Sequence, residues 1–72
     1  MKLQLLTAEQ IKQRREAVGM SQSELARQIG VARTSVWRWE VGEAHPLPMA
    51  ERELLRVLRE AEARYAGNAP AN

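Results

Sequence analysis

Ser21-Gln22-Ser23-Glu24-Leu25-Ala26-Arg27-Gln28-Ile29-Gly30, then Val31-Ala32, then Arg33-Thr34-Ser35-Val36-Trp37-Arg38-Trp39-Glu40-Val41-Gly42, is the stretch whose reading decides the fold. Its glycines cut it into two short helical patterns. Ser21 is a helix N-cap, and Glu24, three residues on, closes a capping box. Leu25, Ala26 and Ile29 form the inward face of the first pattern, and Gly30 stops it. The second pattern, about Arg33 to Val41, turns Val36 and Trp39 inward and stops at Gly42. Two short helices joined by a tight turn hold a rigid angle. That angle lets the second helix enter a major groove about 12 Å wide while the first lies across the backbone.

The second helix carries the chemistry. A rotation of about 100° per residue sets Arg33, Thr34, Trp37 and Arg38 on the side opposite Val36 and Trp39. Arginine can donate two hydrogen bonds to guanine O6 and N7, and threonine can bond to a base edge or place its methyl against thymine. The same face also suits a helix merely solvated by two arginines, so the wheel alone leaves both readings open.

Outward from this core, Thr7 and Gln10 form a capping box for a helix over about Ala8 to Val18, with Ile11 and Val18 on one face and Gly19 as its stop. Residues 43–48 form a loop kept from helix geometry by Pro46 and Pro48, with Pro48 suited to the first turn of the next helix. That long helix, about Met49 to Tyr65, has the stripe Ala50, Leu54, Leu58, Ala61, Tyr65 with Leu55 beside it, and Arg56 is spaced to pair with Glu60. Met1, Leu3 and Leu5 alternate with Lys2 and Gln4, which fits either a short strand or a loose arm. The expected organisation is all-α: a compact bundle of four helices, with five as the alternative. Residues 1–6 are an N-terminal arm, 7–66 the domain and 67–72 a flexible tail.

Composition narrows the function. The chain has 72 residues, room for one thin core, and 11 lysines and arginines against nine glutamates. Seven of those cations lie in residues 1–42, against four glutamates. Cysteine and aspartate are absent, and the one histidine, His45, sits in the proline-containing loop, as a plain loop residue or a phosphate neighbour. That inventory builds no disulfide, metal centre or catalytic constellation, so neither an enzyme nor a cofactor is expected. No apolar run is long enough for a membrane span, and a cytoplasmic location is the expectation. A helical protein-interaction adaptor is the rival from another class, and the arginine-bearing face of the second helix separates the two.

The segments Gly19-Met20-Ser21-Gln22-Ser23-Glu24-Leu25-Ala26, Ile29-Gly30-Val31 and Ser35-Val36-Trp37-Arg38-Trp39-Glu40-Val41-Gly42 together closely resemble the Cro/C1-type (Xre) helix-turn-helix family. The resemblance covers roughly residues 8–58. It implies a lambda-repressor-like DNA-binding domain that acts in transcription regulation, as a repressor on an inverted-repeat operator in double-stranded DNA. It further implies a homodimer. Family members include phage and bacterial repressors and DNA-binding antitoxins, so a toxin or other regulatory protein is an alternative partner. Pro46-x-Pro48 followed by Leu54-Leu55-x-x-Leu58 looks most like the small antitoxin-type members.

Carried over by position, the resemblance makes Arg33, Thr34 and Arg38 base readers. Gln22 would touch a backbone phosphate and brace the first base-reading side chain, with Ser21 beside the same phosphate. Arg27 would either reach the backbone or sit on a solvated face. Arg15 and Glu40 would form a partly buried pair linking the first helix to the end of the third, with a phosphate contact as the other role open to Arg15. Three departures stand out. Ala32 replaces a common serine, so the reading helix lacks a side-chain cap. Trp37 replaces a small or polar residue and would lie against a sugar or, as a further base reader, a thymine methyl, or else contact a partner protein. The usual fourth and fifth helices merge into one. For the dimer, two surfaces are candidates: the stripe running on through Leu58 and Ala61 to Tyr65, and the Met1–Leu6 arm.

Overall fold

The computed structural model describes residues 6–68. It is all-α, with four helices and, among the described residues, no strand: α1 (Ala8–Ala17), α2 (Gln22–Ile29), α3 (Arg33–Glu40) and α4 (Pro48–Asn68). The strand-or-arm reading of residues 1–5 lies outside the described residues. No described helix is long and apolar enough to cross a membrane.

Each boundary has a local cause. Thr7 Oγ1 accepts from the Gln10 N–H at 3.1 Å and Gln10 Oε1 accepts from the Thr7 N–H at 3.0 Å, so the box at α1 is complete. The box expected at α2 is only half made. Ser21 Oγ accepts from the Glu24 N–H at 3.0 Å, but the Glu24 carboxylate turns along its own helix to Arg27 and Gln28. Those two donors, one of them charged, outcompete a single backbone N–H. Gly30, at φ +92°, closes α2 in the left-handed region, its N–H donating to Ala26 O at 2.8 Å. Val31 and Ala32 complete the turn into α3.

Helix α4 runs further than its expected end at Tyr65, through Gly67 to Asn68, positions assigned from sequence to the tail. Between Pro48 and Gly67 it contains neither glycine nor proline, and Ala, Leu, Arg and Glu dominate, all strong helix formers. The expected fifth-helix alternative is therefore absent from the described residues, and one continuous helix stands there.

The core draws on every element: Leu6, Ile11, Met20, Leu25, Ala26, Val36, Trp39, Leu54, Val57, Leu58 and Ala61 are buried. Helix α2 packs on α3 and α4, and α1 packs on α3. The inward stripe of α4 differs from its expected form. It runs Glu51, Leu54, Val57, Leu58, Ala61, while Ala50 and Leu55 are half-buried and Tyr65 is 54% exposed. Leu58 is fully covered within the chain's own core, so it is not surplus surface left for a second copy. Glu51 earns its place inside by polar contact: its Oε2 accepts from the Leu6 N–H at 3.0 Å, and an acidic group in the first turn complements the helix dipole.

Helix α1 buries only Ile11 and Arg15. Ionic contacts hold it as much as apolar ones. Arg14 forks onto Glu62 of α4 at 2.7 and 2.8 Å, and Arg15 forks onto Glu40 of α3.

Candidate nucleic-acid interface

Helix α3 is seated by its inner side. Val36 is fully buried and Trp39 is 7% exposed, both inside the core, so α3 has no freedom to roll. Its last residue, Glu40, is the junction of three helices. Arg15 Nε lies 2.7 Å from Glu40 Oε2, and Arg15 Nη2 lies 3.0 Å from Oε1. Gln22 Nε2, from the first turn of α2, donates to the same Oε1 at 2.9 Å. Arg15 Nη1 also donates to the Met20 carbonyl at 2.8 Å. The side chains of Arg15 and Glu40 are only 10% and 3% exposed. The hydrogen bonds that Arg15 donates to Glu40 hold its guanidinium still more firmly protonated than usual, against the opposing effect of burial.

The outer side of α3 is open. Arg33, Thr34 and Arg38 are exposed, and Trp37 is 42% exposed. Arg33, Thr34 and Trp37 come together around a cleft of about 280 Å³ on this side. Arg38 stands apart from that cleft, its Nε 4.0 Å from Glu43 Oε1, a solvent-exposed approach worth little energy. Ala32 has the extended backbone of an N-cap, with φ −74° and ψ 149°, and makes no side-chain cap bond. The first turn of α3 is thus held by the Ser35 N–H bond to the Ala32 carbonyl, 2.9 Å, and by no side-chain cap.

The residues expected at the backbone are less uniform. Ser21 is exposed and caps α2, which uses a lone pair of Oγ and leaves its O–H free to donate. Gln22 is half-buried and gives one N–H to Glu40, keeping its second N–H and its carbonyl for another partner. Arg27 is exposed but paired with Glu24 on its own helix, where Gln28 and then Arg27 hold the Glu24 carboxyl below its usual range. His45 is exposed in the loop.

Sequence reasoning did not single out the Arg14–Glu62 fork, the Glu43 carboxylate beside Arg38, or the reach of Gln22 to Glu40. The first joins residues 48 apart in the chain, which no local periodicity can reveal. Among the described residues, no group of His or carboxylate side chains is placed to hold a metal ion.

Comparison with known proteins gives one match. A family model described as Helix-turn-helix matches residues 11–61, well over half of the chain, and takes in α2, the turn and α3 entirely. No curated protein and no solved structure matches the chain.

Proposed function

The chain belongs to the helix-turn-helix family, and from that premise we propose that it is a sequence-specific double-stranded DNA-binding transcription regulator, repressing from an inverted-repeat operator as a homodimer. The observation that carries this reading is the two-sidedness of α3. One side is locked into the core through Val36, Trp39 and the Glu40 junction, and the other presents Arg33, Thr34, Trp37 and Arg38 to solvent.

A helix so held can act as a rigid reading head. Arg33 and Arg38 carry the donor forks that suit guanine edges, and Thr34 supplies a hydroxyl and a methyl. On this reading Ser21, which caps α2, and the second N–H of Gln22, whose first N–H is held by Glu40, meet a phosphate at the start of α2. Such contacts set register, while those from α3 set sequence preference. One domain of this size covers roughly 600–1,000 Å² on DNA, and two copies on successive major-groove faces about double that and read a palindrome.

The test is selection of bound duplexes from a random pool, followed by titration at several salt concentrations. The expected result is a palindromic consensus with half-sites about one helical turn apart and a steep salt dependence. A protein that enriches no sequence and shows no salt-sensitive binding is not a DNA-binding regulator.

A further inference from the structure

The cleft on the outer side of α3 combines three chemistries: the planar cationic fork of Arg33, the hydroxyl and methyl of Thr34, and the indole of Trp37. Among the described residues, no side-chain hydrogen bond or ion pair ties any of the three to the rest of the protein. Trp37 stays 42% exposed although the fully apolar positions Val36 and Trp39 already fill the inner side. The indole is therefore not needed by this subunit's core, and it lies where a groove-reading face must be.

Helix geometry sets the span of the cleft. Arg33 and Trp37 are four residues apart, about 6 Å along the axis. Base pairs stack about 3.4 Å apart, so the three side chains together reach two neighbouring base pairs. Arg33 matches guanine O6 and N7. What remains beside it is an apolar wall of threonine methyl and indole, whose one polar hydrogen is a donor. Of the groups that base pairs display in the major groove, only the C5-methyl of thymine is apolar.

We propose that Arg33, Thr34 and Trp37 form a subsite for a pyrimidine C5-methyl next to a guanine: Arg33 takes the guanine, and the methyl of a thymine on the adjoining base pair seats between Thr34 and Trp37. The inference rests on the DNA-binding reading and adds to it the step that is read. It makes Trp37 a specificity residue. The same subsite accepts 5-methylcytosine, which presents the same methyl at the same place.

The experiment removes the methyl without touching the protein. In the selected duplex, each thymine is replaced singly by deoxyuridine and affinity is measured by titration. One thymine, adjoining a guanine, is expected to lose roughly fourfold in affinity, the worth of one buried methyl-sized group, with little change at the others. At that position, 5-methylcytosine is expected to bind tighter than cytosine by a similar factor. In Trp37→Ala, a change at an exposed site, both discriminations vanish while preference for the neighbouring guanine persists. The proposal is overturned if no thymine senses loss of its methyl, or if Trp37→Ala discriminates methyls as well as wild type. It is equally overturned if Trp37→Ala weakens selected and random duplexes alike, which marks a sugar contact. Absence of any salt-sensitive binding by the wild-type chain overturns the DNA-binding reading itself, an outcome distinct from the others.

Discussion

Replacing Glu40 by alanine tests the frame on which α3 stands. The substitution removes the acceptor of three hydrogen bonds, two from Arg15 and one from Gln22. It leaves a guanidinium that is 10% exposed without its counter-charge. Breaking a buried pair by removing one partner costs about 3–5 kcal/mol. Arg15 keeps its bond to the Met20 carbonyl and an approach of 3.7 Å to Glu16, so the lower end, about 3 kcal/mol, is expected. A 72-residue domain has about 4–11 kcal/mol to lose. At about 4–8 °C per kcal/mol for a domain of this size, Tm should fall by at least about 12 °C. Thermal and urea melts followed by circular dichroism supply the measurement. A double replacement, Arg15→Met with Glu40→Leu, supplies the control. It removes both charges, and apolar pairs of similar volume commonly replace buried ion pairs at little cost. That double variant should melt near wild type yet bind DNA more weakly, because Gln22 has lost its anchor. Glu40→Ala melting within about 2 °C of wild type, against the fall expected from that scale, would refute the argument that the junction holds the fold.

Other expectations follow from single sites. Arg38→Ala should weaken binding to the selected site by about 1–3 kcal/mol and relax one base position, as read by titration of single-base variants; equal loss on random DNA would reduce Arg38 to a phosphate contact. Ala32→Ser should supply the missing cap, because the backbone at Ala32 is already extended, and raise stability by about 1 kcal/mol in urea melts. Glu62, held below its usual carboxyl range chiefly by the Arg14 hydrogen bonds, should stabilise the fold above its unfolded value of 4.5 and lose that contribution as pH falls through the lower folded value. The gap between wild type and Glu62→Gln should therefore be constant near neutrality and close in acid, and it should be small, since both side chains are about a third exposed. Tyr65→Glu, at an exposed position, should leave the melt unchanged and raise the dimer dissociation constant in sedimentation if α4 carries the subunit contact, whereas Leu58→Glu should unfold the chain because Leu58 is fully buried.

Much of this architecture was legible because it is locally encoded. Gly30 at a left-handed position, the Thr7–Gln10 box and the spacing of Val36 and Trp39 each act within one or two turns of helix, the range over which periodicity and capping operate. The two sides of α3 follow from the same geometry. What sequence could not supply is what depends on elements meeting. The stripe read from periodicity omits Val57 and includes Tyr65 because the true facing direction of α4 is set by where α2 sits, not by α4 alone. Glu51, which no sequence pattern places inside, is buried because the Leu6 N–H, 45 residues away in the chain, donates to it. The Arg15–Glu40 fork was expected only through family resemblance, and the participation of Gln22 was not expected at all: a shared carboxylate oxygen has no signature in spacing.

The division of labour within α3 has a consequence for how such a chain can diverge. Glu40 binds side chains from α1 and α2 at once, so a change there is felt at Arg15 and Gln22, and its effects will not add to theirs. These three positions form an epistatic unit whose drift is constrained. Arg33, Thr34 and Trp37 have no such partners. Each can be exchanged without disturbing the frame; under the proposed function, descendants of one ancestor can then acquire new operators by replacing one exposed side chain after another while inheriting the same scaffold intact.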